Sequence, residues 1–138
     1  MKNLIKIILI YIFASNDLLA QSKLTTEMKI SITLADEQLK AYNNRDIEGF
    51  LKPYSDTIKV YSYMNNLLYQ GKGRMREIYT EMFEKNIDLK CKLLNRIIMK
   101  DKVIDHEEVT TKKGKPAFRA VAIYTIKKGK IIEVNFIQ

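Results

Sequence analysis

The chain has 138 residues, 46% of them hydrophobic and 29% charged, a balance that fits one globular domain and excludes a disordered protein. A single cysteine, Cys91, excludes an internal disulfide and every zinc site that needs two or more thiolates. The net charge of +8 is spread over turns such as Lys112-Lys113 and Lys127-Lys128, with acidic residues interspersed and no basic stripe interleaved with aromatics, so it predicts a solvated face and no nucleic-acid partner.

Residues 1–20 read as a secretory signal peptide. Lys2 and Lys6 give a positive start, Ile7 to Ala14 is a short apolar run, and Leu18-Leu19-Ala20 ends in a small residue. Cleavage after Ala20 is expected, leaving a secreted or periplasmic domain over residues 21–138. The run is too short for a membrane span, so no stable membrane insertion is expected after cleavage. An uncleaved N-terminal anchor is the alternative, because Asn16 and Asp17 make the cleavage region irregular. Losing Lys2, Lys6 and Asp17 takes the charge from +8 to +7.

A long helix follows, capped by Thr25 or Thr26, with Met28, Ile32, Ala35, Leu39 and Tyr42 as its apolar stripe. Asn43 and Asn44 end it. Asp46 caps a second, short helix whose apolar positions are Ile47, Phe50, Leu51 and Tyr54, and Pro53 allows little helix beyond it. Ser55-Asp56 reads as a turn, and a strand begins near Ile58. Asn65-Asn66 reads as a turn and Leu67 to Gln70 as a short extended piece. Gly71-Lys-Gly73 opens a third helix, amphipathic through Met75, Ile78, Tyr79, Met82 and Phe83, and lacks the spacing of a phosphate loop.

From Leu89 the period becomes two. Strands are expected over about Leu89 to Met99, Lys102 to Thr111, Pro116 to Ile126 and Lys130 to Ile137, separated by short polar or glycine-containing turns. The order is helix, helix, strand, helix, then an antiparallel meander of four strands.

This order resembles the nuclear transport factor 2-like superfamily, in particular its SnoaL-like and ketosteroid isomerase-like members. The resemblance is carried by Tyr42-Asn-Asn-Arg-Asp-Ile-Glu-Gly-Phe50, by Tyr54-Ser-Asp56 before the strand, by the helix from Gly73 to Phe83, and by Gly129-Lys-Ile131 before the last strand. It implies an α+β fold, a curved mixed sheet wrapped around N-terminal helices into a cone with an internal cavity, and a homodimer through the outer face of the sheet. It does not imply an activity, since one fold hosts many sites. Isomerase chemistry needs a carboxylate base, a tyrosine and a protonated carboxylic acid. In this chain the tyrosine position falls on Gln38, the base on Ser62, and the acid on Ala122 or Ile123. All three groups are absent, so steroid isomerisation is not expected.

The dense polar cluster is Asp105-His106-Glu107-Glu108. Alternation puts Val103, Asp105, Glu107 and Val109 on one face, bracketed by valines and expected to look into the cone, with His106 and Glu108 on the other. Two neighbouring carboxylates in an apolar cavity raise one pKa, the requirement for a general acid or base. Arg96 on the preceding strand is the candidate counter-ion. Equally, an Asp–Arg or Glu–Arg pair satisfies a buried polar layer or bridges to a helix. His106 is the only histidine, and the pleat points its neighbours Asp105 and Glu107 to the opposite face, so no metal site is expected, and as a base it has no identified orienting partner. Tyr61 and Tyr124 are the tyrosines expected at the cavity or an interface. No serine lies in a Gly-x-Ser-x-Gly elbow, and no cofactor motif is present. The ligand-binding candidates are therefore Arg96, Asp105, Glu107, Tyr61 and Tyr124, and the catalytic candidates Asp105, Glu107 and His106. The expectation is an exported domain binding a small, partly apolar molecule. A proton-transfer or hydrolytic enzyme using Asp105 or Glu107 with Arg96, and a dimeric interaction module, are the alternatives.

Overall fold

A computed structural model of the chain describes residues 24–138; the expected signal peptide lies outside them. Helix α1 spans Thr26–Asn44 and helix α2 Ile47–Leu51. Strand β1 (Tyr54–Ser62) and strand β2 (Asn66–Gln70) flank a single 3₁₀ turn, and helix α3 runs over Lys72–Lys85. Strands β3 (Lys90–Ile98), β4 (Lys102–Thr110), β5 (Phe118–Lys127) and β6 (Lys130–Ile137) follow. They form one sheet in the order β2-β1-β6-β5-β4-β3. All neighbours are antiparallel except β1 and β6, so the sheet is mixed, and its concave face holds the helices. The fold is the expected α+β cone.

Local chemistry sets the helix boundaries. The Thr25 hydroxyl accepts from the Met28 amide at 3.2 Å, satisfying one of the donors that an α-helix leaves free at its start. Arg45 ends α1 in the left-handed conformation (φ 54°), its amide bonded back to the Tyr42 carbonyl. Asp46 then caps α2 through the Gly49 amide at 3.0 Å. At Gly49 a Cβ would stand 2.3 Å from Asp46 Oδ2 and 3.2 Å from the Ala41 Cβ, so a larger residue there would displace the capping carboxylate. Helix α2 stops at Leu51, and Tyr54, expected to extend its apolar face, instead opens β1. Pro53 divides the two, as a ring that cannot continue a helix does.

Two features depart from the hydropathy pattern. The piece from Leu67 to Gln70 is a full edge strand, paired as Val60↔Tyr69 and Lys59↔Gln70. Its side chains are mostly exposed, which is why it carries no apolar alternation. In α1 the deepest face is Ser31, Ala35, Gln38 and Ala41, with Met28, Ile32, Leu39 and Tyr42 half-buried beside it. Small side chains let α1 approach β3 and β4 closely. The approach is fixed by Asn43. Its side chain donates to the Cys91 carbonyl at 2.8 Å and accepts from the Cys91 amide at 2.7 Å, so it occupies backbone groups of the edge strand β3.

The core lies between the helices and the concave face. At its centre Tyr42, Phe50, Tyr79 and Phe83 pack edge-on and tilted, with ring centroids 4.3–6.3 Å apart. Ile58, Val60, Val103, Ile131 and Val134 close it from the sheet side.

Candidate functional site

The sheet curves away from the helices far enough to leave a cavity of about 370 Å³ between the aromatic cluster and strands β4 to β6. Its walls are mainly apolar, and the exposed side chains of Leu68 and Phe118 stand at its rim. Strand alternation delivers Glu107 from β4 and Tyr124 from β5 to its floor, because both belong to the buried, concave set of their strands. Helix α1 delivers Gln38, and β1 delivers Tyr54 at its first residue.

These four groups form one directional chain. The Tyr54 hydroxyl donates to Gln38 Oε1 (3.3 Å), Gln38 Nε2 donates to the Tyr124 hydroxyl (3.0 Å), and that hydroxyl donates to Glu107 Oε1 (3.4 Å). All four side chains are buried. Burial, and then the negative charge of Asp105, push the Glu107 carboxyl up to about 7, while Cys91, Tyr124 and Arg96 work the other way. Burial likewise holds the Tyr54 and Tyr124 hydroxyls well above the ordinary tyrosine range. Near neutral pH the floor of the cavity therefore offers neutral hydroxyls and a carboxyl that holds its proton to higher pH than an ordinary glutamate.

Asp105 and Arg96 have a different fate. Arg96 Nε and Nη2 meet the two Asp105 oxygens at 2.6 and 2.8 Å, and Arg96 Nη1 meets Asp36 of α1 at 2.6 Å. Asp105 is fully buried, and the guanidinium is held in its charged form, chiefly by Asp105. This layer ties β3, β4 and α1 together, and neither Asp105 nor Arg96 lines the cavity. Among the described residues Glu107 has no ion-pair partner, so Arg96 is not its direct counter-ion. His106 faces the convex side with Glu108, and Tyr61, on the same side, pairs in register with Asn135. Of the five ligand-binding candidates, the structure brings Glu107 and Tyr124 together at the cavity and places Arg96, Asp105 and Tyr61 elsewhere.

Sequence reasoning passed over Gln38, Tyr54 and Cys91 as site residues. Gln38 is a polar residue beside the apolar stripe of α1, and hydropathy alone does not turn it toward the core. Tyr54 was assigned to the α2 stripe, and nothing in the sequence marks it as facing a void. Cys91 lies buried beside Glu107, whose charge adds to burial in raising its thiol pKa, which makes it an inert wall residue. Of the positions aligned with isomerase groups, Gln38 lines the cavity and Ser62 does not.

The sequence model of the SnoaL-like domain family matches residues 35–134. No curated protein matches the sequence. Among solved structures, a cystatin-fold protein from Novosphingobium aromaticivorans superposes with a TM-score of 0.71 at 21% identity, covering 83% of this chain and 99% of its own. A candidate ketosteroid isomerase from Kribbella flavida gives 0.68 at 13% identity over 79% of this chain and 77% of its own. A candidate SnoaL-like polyketide cyclase from Jannaschia gives 0.65 at 14% identity over 84% and 88%. At these identities the likeness is one of fold.

Proposed function

Taking as premise that the chain belongs to the SnoaL-like domain family, we propose that it binds a small, partly apolar molecule in the cone cavity, its polar end at the Glu107–Tyr124 floor. The observation that carries this is the cavity of about 370 Å³, apolar in its walls, with the Tyr54–Gln38–Tyr124–Glu107 chain at its base. Small-molecule sites have this composition: apolar enclosure for affinity and a few convergent polar groups for orientation. Filling the cavity tests the reading. Ala120 lines it opposite Glu107 on β5, so Ala120→Phe occupies the space a ligand needs. Neutral aromatic alcohols and ketones should raise the melting temperature of the wild type and leave that of a folded Ala120→Phe unchanged. Equal shifts in both proteins would contradict the cavity as the site.

One observation favours a second, catalytic reading. A carboxyl with a pKa near 7, desolvated and free of an ion partner among the described residues, suits proton transfer. In that reading Glu107 moves the proton, Tyr124 holds its position, and Asp105 with Arg96 serves the fold. Export is also proposed, on the order of charged, apolar and small residues over positions 1–20. So is a homodimer through the convex face, where Ile97, Ile104 and Ile123 form one cross-strand row.

A further inference from the structure

The charge of the cavity runs against the charge of the chain. The protein carries +8, yet none of the described residues that line the cavity is Lys, Arg or His. Glu107 is the one carboxylate side chain among them, and the layer behind it sets two aspartates, Asp36 and Asp105, against a single Arg96. Glu107 has been stripped of most of its water by the fold itself, and it meets no cation within ion-pair distance among the described residues. A ligand cation entering here loses only its own hydration, because the cost of drying the carboxylate has already been met in folding. The walls add tyrosine and phenylalanine rings, whose faces attract an organic cation within about 6 Å. An anion would meet the carboxylate with no positive partner beside it.

We propose that the cavity selects a small apolar amine, bound as its ammonium against the Glu107 carboxylate, over the alcohol or the carboxylic acid of the same carbon skeleton. This rests on the ligand-binding reading above and narrows it to a ligand class. The long-range field of the chain favours anions, but it is screened beyond about 8 Å at physiological salt. The desolvated carboxylate acts at contact distance and decides the class.

A pH dependence follows. The titratable and charged groups around Glu107 are Asp105 on its own strand, Arg96 and Cys91 on β3, Tyr124 on β5, Tyr42 on α1 and Tyr54 on β1. Burial raises the thiol and all three hydroxyls above their ordinary values, so they stay neutral between pH 5 and 8, and Arg96 occupies Asp105. Glu107, pushed up to about 7, gains its negative charge across that window. Amine affinity should therefore rise from pH 5 to pH 8, and alcohol affinity should change little.

Calorimetric titration of 1-naphthylmethylamine, 1-naphthalenemethanol and 1-naphthoic acid into the whole protein tests this. At pH 8 the amine should bind about tenfold more tightly than the alcohol, the margin between a charge-assisted and a neutral hydrogen bond. That margin should vanish at pH 5, and Glu107→Gln should lose it at pH 8 while still binding the alcohol. The pH comparison uses the wild type alone and decides the matter if the variant does not fold. Equal amine and alcohol affinity at pH 8, or tighter binding of the acid, would overturn the amine preference and leave the cavity reading standing. Binding of none of the three would overturn both.

Discussion

Glu107 has a pKa near 7 in the folded chain and an ordinary carboxyl value near 4.5 when unfolded. The folded state therefore holds its proton more tightly. The contribution is fully present below about 4.5 and is lost as the pH rises through about 7. Two and a half pKa units correspond to roughly 3 kcal/mol, so the stability difference between wild type and Glu107→Gln should shift by about that much across the window. Denaturant titrations at pH 4.5 and pH 8 check it, the other carboxylates cancelling in the difference. A difference independent of pH would mean that the carboxyl is solvated. The sequence showed the two carboxylates of one strand face, Asp105 and Glu107, but not their division of labour. That depends on Arg96, whose guanidinium reaches Asp105 and Asp36 and leaves Glu107 to the cavity. A choice between two carboxylates two residues apart is made by side-chain reach, which no periodicity records.

At the level of elements, the helix hairpin and the meander were legible because caps, proline and period carry them. Thr25, Asp46 and Pro53 each act within a few residues of their own position. Strand β2 was only partly legible, because an edge strand with exposed side chains has no buried face to impose alternation. The rotation of α1 toward Ser31 and Gln38 was not legible either, because hydropathy counts apolar mass and not how closely a small residue lets two backbones approach. Asn43 belongs to the same class. It looked like a helix terminator and is also the clamp between α1 and β3. Asn43→Ala should strand the Cys91 amide and carbonyl and cost about 2 kcal/mol. Urea unfolding measures the loss, and hydrogen exchange should show β3 amides opening before those of β5. Unchanged protection in β3 would mean that the clamp adds nothing to the strand pairing already there.

On the scale of the molecule, a curved sheet has two faces with different tasks. The concave face encloses the core and the cavity. The convex face carries the row Ile97, Ile104 and Ile123, of which Ile97 is 56% exposed. A partly exposed apolar row on a sheet suits the proposed homodimer. Sedimentation should find a dimer at micromolar concentration, and Ile123→Glu should convert it to a folded monomer. A wild-type monomer would leave the convex row unexplained. Among the described residues no helix is long and apolar enough to cross a membrane. The central claim is that the concave face holds a ligand. Titrating 1-naphthalenemethanol into isotope-labelled protein and following methyl and tyrosine-ring resonances tests it most directly. The account predicts saturable shifts concentrated at Leu39, Val60, Leu89, Val109 and Tyr124, all of which line the cavity. Shifts confined to Ile97, Ile104 and Ile123, or none at saturating concentration, would contradict it.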